Sequence, residues 1–114
     1  MTFDDFITHC ESKNGTEQTI PFGPDTLVLK VGNKMYALCS LKEFKSINLK
    51  CDPEKAIELR ERYPAVIPGY HMSKVHWNTV EMDGSISDKI IKEWIDDSYD
   101  LIVASLPKKE RGAL

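Results

Sequence analysis

Three β-type runs that follow one another without an intervening helix constrain the fold of this chain most. These runs are Leu27–Val31, Met35–Cys39 and Ile47–Cys51. Gly32 opens the short junction between the first two runs and supplies the positive φ that a tight hairpin needs. In the third run apolar and polar residues alternate strictly, which predicts a strand with one face on a core and with Asn48 and Lys50 toward water. Neighbouring strands joined by such short connections pair antiparallel.

A first helix is predicted before these strands. Thr2 can cap it, and Asp5 three residues later forms an acidic variant of the capping box. Apolar residues recur at helical spacing after this cap, and Asn14-Gly15 is a residue pair suited to a left-handed helix end.

Two further helices are predicted after the strands. Asp52 as cap with Pro53 at the first helical position is a strong helix start, and Pro64 ends the segment. Ser87 is predicted to cap a long final helix with an apolar stripe, which ends before Pro107.

The predicted order of elements is α-β-β-β-α-β-α, in which Trp77–Met82 forms the last strand. Because strands and helices do not alternate regularly, we expect an antiparallel sheet covered by helices and the α+β class. A length of 114 residues suits one hydrophobic core, so residues 1–114 are predicted to form a single domain, with a mobile tail over residues 106–114.

Composition favours an ordinary soluble globular protein. The apolar runs are too short to cross a bilayer, and the first residues lack the basic start of a secretory signal, so we expect no membrane contact and a cytoplasmic location. Cys10, Cys39 and Cys51 are odd in number and widely spaced, which agrees with a reducing compartment and predicts three small buried hydrophobes.

The stretch from Pro64 to Val80 is chemically unusual, since two histidines, a tyrosine, a tryptophan and a lysine lie close together in it. A metal ion needs three or four convergent ligands, whereas a separation of five places His71 and His76 on opposite faces of a continuous strand. Ser73 lies between them, but the chain has no Gly-x-Ser-x-Gly element and no phosphate-binding glycine loop. We therefore expect no metal, no cofactor and no catalytic site.

Several segments together resemble the YjbR (MmcQ/YjbR) family. They are Pro21–Asp25, Leu29–Val31, Asn48–Pro53, Tyr63–Met72, Lys74, His76–Val80, Ser98-Tyr99 and Leu106-Pro107. The resemblance implies a compact α+β domain similar to a double-wing DNA-binding fold, with an inferred role in binding DNA.

A DNA-binding surface on this chain must be local, because the formal net charge is −3. Cations for phosphates and flat or hydrogen-bonding side chains for bases are the groups that such a surface needs. The predicted contacts are Tyr70, His71, Lys74, His76, Trp77 and Asn78, with Lys108, Lys109 and Arg111 in the tail. We expect weak, salt-sensitive binding from so few cations.

The alternative is a regulatory domain that uses the same aromatic and histidine-bearing surface to hold a protein partner or a small ligand, without nucleic acid. Tyrosine and tryptophan are enriched at such binding sites, and an acidic chain meets no electrostatic penalty there. An exposed aromatic patch without surrounding positive charge would favour this alternative.

Overall fold

The computed structural model describes residues 1–70 and 72–114. Within these ranges helices and strands follow one another in an α+β order. The elements are α1 (Phe3–Glu11), β1 (Glu17–Thr19), β2 (Thr26–Val31), β3 (Lys34–Ser40), β4 (Ser46–Lys50), α2 (Pro53–Arg62), β5 (Val66–Pro68), β6 (Trp77–Glu81), α3 (Asp88–Ser105) and α4 (Lys108–Gly112).

The strands form one sheet in the order β1-β2-β3-β4-β6-β5, and every neighbouring pair is antiparallel. The predicted antiparallel sheet and α+β class are confirmed. Sequence patterns missed β1, β5 and α4, which have three, three and five residues. The two short strands form the outer edges of the sheet.

All three predicted helix starts are confirmed. The Thr2 hydroxyl accepts the Asp5 backbone N–H, and the Asp5 carboxylate accepts that of Thr2, which completes the capping box. The side chains of Asp52 and Ser87 cap α2 and α3 in the same manner. The first helix ends at Glu11, earlier than the Asn14-Gly15 pair predicted, and a turn follows it.

The main core lies between one face of the sheet and the helices. Alternate strand residues point into this core, and Phe6 of α1 and Ile95 of α3 are fully buried against them. The β2–β3 hairpin closes as predicted, with positive φ at both Gly32 and Asn33. Cys10 and Cys39 are buried as expected, whereas Cys51, just after β4, is half-buried.

Tyr36 interrupts the alternation of β3. Leu29 pairs with Ala37 and Lys30 pairs with Met35, so Tyr36 is the extra residue of a β-bulge. Its side chain therefore turns into the main core, where its hydroxyl lies 2.8 Å from the Thr16 hydroxyl.

Ser98 of α3 ties the helix to the sheet beside this bulge. Its fully buried hydroxyl donates to the Tyr36 carbonyl at 2.6 Å and accepts the Lys50 backbone N–H at 2.9 Å. The bulge thus has its own hydrogen-bond partner on the covering helix.

The second face of the sheet carries no helix among the elements described. A small apolar cluster of Val28, Leu38 and Trp77 lies on it, with Met35 and Met72 packed alongside. We call this side the open face. It is where the connection between β5 and β6 folds back over the strands.

Candidate functional site

The connection between β5 and β6 turns sharply at Gly69. This residue is buried, and a Cβ there would lie 2.8 Å from the Trp77 Cβ and 2.9 Å from the Trp77 carbonyl oxygen. The Gly69 N–H donates to that carbonyl at 2.8 Å, and the Trp77 N–H donates to the Ser73 carbonyl at 2.9 Å. Only glycine permits so close an approach, so Gly69 fixes where the connection begins.

Trp77 anchors this connection rather than projecting from it. The side chain is 8% exposed and packs on the open face with Leu38 and Met72. Such burial removes the ring faces on which a nucleobase could stack.

Asn78 is also inside the fold, at 2% exposure. Its side-chain oxygen accepts the Arg60 Nε–H at 2.6 Å, and its side-chain nitrogen lies 3.4 Å from the Ala56 carbonyl. The Arg60 guanidinium also donates to the carbonyls of Lys74 and Trp77. Arg60 therefore clamps the end of the connection to α2, and the Asn78 amide is already engaged in this network.

The remaining predicted contacts of the stretch lie at the surface, except that His71 falls outside the described residues. Tyr70 is 67% exposed. Lys74 is exposed, and its ammonium donates to the Gly69 carbonyl at 3.1 Å. The His76 side chain is exposed, while its backbone carbonyl accepts the Cys51 N–H.

The three cations of the predicted tail site lie elsewhere. Lys108, Lys109 and Arg111 are exposed on α4. Leu106, just before this helix, is buried against Gly32, so the start of the tail is held at the β2–β3 hairpin. The tail continues from α3 on the helical side of the sheet, opposite the face that Trp77 covers.

The described strand residues that point to the open face carry balanced charges. Strand pairing places Lys30 of β2 beside Glu17 of β1 on this face. Lys50 of β4 and Glu81 of β6 point to the same face, as the pairing of these two strands shows. These two lysines and two glutamates cancel, so the strands give this face no positive potential.

A groove of about 640 Å³ crosses the open face. Two exposed aromatic side chains line it: Phe22, 64% exposed in the loop before β2, and Tyr70 in the connection before β6. The strands contribute uncharged polar side chains, namely Thr26, Ser40, Ser46 and Asn48. Apolar lining comes from Met35, Leu38 and Met72. Sequence patterns did not predict this groove, because it assembles residues from five separate segments.

A relay of hydrogen bonds orients the Asn48 amide in this groove. The Tyr70 backbone N–H donates to the Thr79 hydroxyl at 3.0 Å, and that hydroxyl in turn donates to the Asn48 side-chain oxygen at 2.5 Å. The oxygen of the amide is thereby occupied. Its NH₂ group has no hydrogen-bond partner within residues 1–70 and 72–114, and it remains as a donor for the groove.

Ser40 supplies a second oriented donor. Its hydroxyl oxygen accepts the Lys42 backbone N–H at 3.2 Å and that of Glu43 at 3.4 Å. With its oxygen engaged, the O–H bond is available to a group in the groove.

The thiols lack the environment of a nucleophile. Burial raises the pKa of Cys10 to about 12 and that of Cys39 to about 11, and burial also raises the pKa of half-buried Cys51. A raised pKa keeps a thiol protonated, whereas catalysis needs the thiolate.

The described residues contain neither a cluster of metal ligands nor a membrane-spanning helix. Outside position 71, the structure brings no three histidine, cysteine or acidic side chains together as a metal site. Over the same residues, no helix combines the length and apolar character that crossing a bilayer requires.

A family model described as YjbR matches residues 11–101. The Escherichia coli (strain K12) protein YjbR is 34% identical over 115 aligned positions, which cover 100% of this chain and 98% of that protein. The YbdF protein of Escherichia coli O157:H7 is 41% identical over 92 residues, covering 80% of this chain and 75% of that protein. Both relatives carry the name "uncharacterized protein", which assigns no activity.

The fold is similar to solved structures. The crystal structure of Deinococcus radiodurans protein DR2400, domain DUF419, superposes with a TM-score of 0.92 at 37% identity, covering 98% of this chain and 86% of that one. A crystal structure of a Pseudomonas syringae protein superposes with a TM-score of 0.75 at 33% identity, covering 89% and 98%.

Proposed function

This chain belongs to the YjbR family, and from that premise we propose that it is a non-catalytic binding domain whose open-face groove holds a small, uncharged organic ligand. The observation that carries the proposal is the exposure of two large aromatic side chains, Phe22 and Tyr70, on separate loops at one groove. Ligand sites typically combine such apolar surface with a few placed polar groups.

The size of the groove suits a small molecule. Its volume of about 640 Å³ lies within the roughly 300–1,000 Å³ that is common for ligand pockets. Met35 and Met72 provide flexible apolar contacts that adapt to a ligand's shape.

Charge favours a neutral ligand over a nucleic acid. Among residues 1–70 and 72–114, no lining side chain carries a charge, and the strand residues of this face contribute as many carboxylates as lysines. DNA affinity comes mainly from cations that neutralise phosphates. Of the nine predicted DNA contacts, Trp77 and Asn78 are buried, and Lys108, Lys109 and Arg111 belong to the helical side.

The DNA role implied by the family resemblance stays a prediction, and it has its own measurement. Fluorescence anisotropy of a labelled duplex, with protein above about 100 μM at low salt, reports even weak non-specific binding. Salt-sensitive binding that the Lys74→Ala variant weakens would support a nucleic-acid role for the exposed connection. No anisotropy change would remove that role.

The methionines test the groove directly. With ¹³C-labelled methyl groups, Met35 and Met72 report on the groove, while Met1 and Met82 pack against the main core on the other side and serve as internal controls. We expect neutral ring compounds such as indole at millimolar concentration to shift only the first pair. Equal shifts of all four signals, or none with any ring compound, would refute the proposal.

A matched pair of variants localises the effect. Phe22→Ala should weaken ring binding several-fold, because it removes an exposed ring from the groove. Ile20→Ala removes a side chain that is also exposed, at 52%, in the same loop but outside the groove lining. It should leave binding unchanged.

A further inference from the structure

We infer that the ligand is a neutral nucleoside or a closely similar molecule, in which a flat nitrogen heterocycle carries a hydroxyl-bearing group. This inference rests on the proposed ligand-binding function and assigns the chemical class for the same groove. It follows from which hydrogen-bonding atoms the fold leaves available and from how they are arranged.

Asn48 presents its NH₂ group as a donor to the groove. Its oxygen is held by the Thr79 hydroxyl, and that hydroxyl is itself fixed because its own oxygen accepts the Tyr70 backbone N–H. With the amide in this orientation, its NH₂ group is left as a donor for the groove. The groove therefore selects a ligand with a hydrogen-bond acceptor at this point, such as a ring nitrogen or a ring carbonyl.

Aromatic side chains complement such a ring. Phe22 and Tyr70 offer flat apolar surface. Nucleobases stack on aromatic side chains in many proteins, because every base has a π-face. A heterocycle with an acceptor edge satisfies the stacking and the Asn48 donor together.

Hydroxyl groups on the strands extend the site beyond the ring. Thr26, Ser40 and Ser46 line the same groove, and the Ser40 hydroxyl accepts the Lys42 and Glu43 backbone N–H groups while its own O–H stays available to a ligand. These groups fit the hydroxyls of a sugar. A bare base would leave much of the volume of about 640 Å³ empty, whereas a nucleoside brings both parts.

The described lining residues offer no cation for a phosphate. The residues of the groove include no lysine, arginine or histidine among those described. A phosphate buried there would lack a counter-charge, so a free nucleoside should bind at least as tightly as its nucleotide.

The test compares four probes by the methionine methyl signals: isoquinoline, indole, adenosine and adenosine monophosphate. Isoquinoline offers a ring-nitrogen acceptor and indole a ring N–H donor on rings of similar size. We expect isoquinoline to bind several-fold more tightly than indole, adenosine to bind with a dissociation constant on the order of 10⁻⁴ M, and the phosphate to add nothing.

Two variants separate the parts of the site. Asn48→Asp replaces the donor by an acceptor of the same shape and should weaken isoquinoline about tenfold while strengthening indole. Asn14→Asp makes the same chemical change at an exposed position beyond α1 and should change neither affinity. Ser40→Ala, a mild surface change, should weaken adenosine several-fold and leave isoquinoline unaltered.

The outcomes are distinguishable. If rings bind the groove but indole binds as tightly as isoquinoline, or adenosine shifts neither Met35 nor Met72, the nucleoside assignment is wrong and the binding function stands. If no ring compound shifts Met35 or Met72, both fall. Should Asn48→Asp fail to fold, an unchanged adenosine affinity in Ser40→Ala alone overturns the assignment.

Discussion

Replacing Arg60 by methionine should destabilise the fold by about 3 kcal/mol. Methionine keeps the aliphatic stem and removes the guanidinium, which donates to the Asn78 side chain at 2.6 Å, to the Trp77 carbonyl at 3.2 Å and to the Lys74 carbonyl. No carboxylate of the described chain forms an ion pair with this guanidinium, so no ion pair contributes to the effect.

The size of the destabilisation depends on whether each oxygen that accepts from Arg60 finds another hydrogen-bond donor in the variant. The Asn78 oxygen is buried and would lose its partner, which costs about 1–3 kcal/mol. The Trp77 carbonyl still accepts the Gly69 N–H, and the Lys74 carbonyl lies on an exposed residue where water replaces the guanidinium. These two bonds add about 0.5 kcal/mol each. The sum is a large part of the roughly 5–15 kcal/mol by which small domains are stable.

Urea unfolding followed by tryptophan fluorescence measures this change. Arg62→Met is the matched control, since Arg62 lies in the same last turn of α2 but stacks on Tyr63 at 5.5 Å at the surface. Both variants lose the same interaction with the helix dipole, and Arg62→Met also loses its surface contact with Tyr63, so their difference is a lower bound for the clamp. If the unfolding free energies of the two variants agree within about 0.5 kcal/mol, the clamp contributes less than predicted and the reasoning is wrong.

Two further predictions concern the interior of the fold. Ser98→Ala should cost about 2 kcal/mol in unfolding free energy, because it leaves the backbone N–H of half-buried Lys50 without its partner; Ser105→Ala, which removes hydrogen bonds of an exposed residue, is the control and should cost less. Thiol labelling at pH 8 should modify Cys51 first, more slowly than free cysteine and faster as pH rises toward its raised pKa, while the two buried thiols react only on unfolding. Rapid labelling of all three in native buffer would contradict the burial.

Local sequence signals predicted the helices and the central strands because their causes lie within a few residues. The Thr2–Asp5 box, the Asp52-Pro53 start and the Ser87 cap each act across one turn. The Gly32 hairpin is likewise a local requirement.

Features that depend on distant partners were not predictable in this way. Alternation alone cannot show that Tyr36 is an inserted residue, since the bulge is defined by pairing with β2 and by the Ser98 hydroxyl 62 residues away. The strands β1 and β5 have only three residues, too few for a periodic pattern.

The candidate site was predicted least well, because its residues come from segments that are distant in the sequence. Grouping by sequence put Trp77 with Tyr70, yet the strand directs Trp77 into an apolar cluster while Tyr70 stays exposed. Phe22 and Asn48 belong to segments far from both, and only the antiparallel sheet brings them to one groove. One sequence signal pointed to this site. Phe22 lies between Pro21 and Gly23, in a turn of the kind that is usually exposed, so a large aromatic ring is expected at the surface there.

The brevity of the outer strands has a consequence for how the molecule behaves at high concentration. A sheet with free edge strands invites other chains to extend it, since a free strand edge offers a row of unpaired backbone groups. Here each border is three residues long, and Pro68 removes one N–H from the second border. Self-association by strand addition is thereby discouraged, so the uncovered face can stay accessible to solutes without exposing the protein to fibril growth.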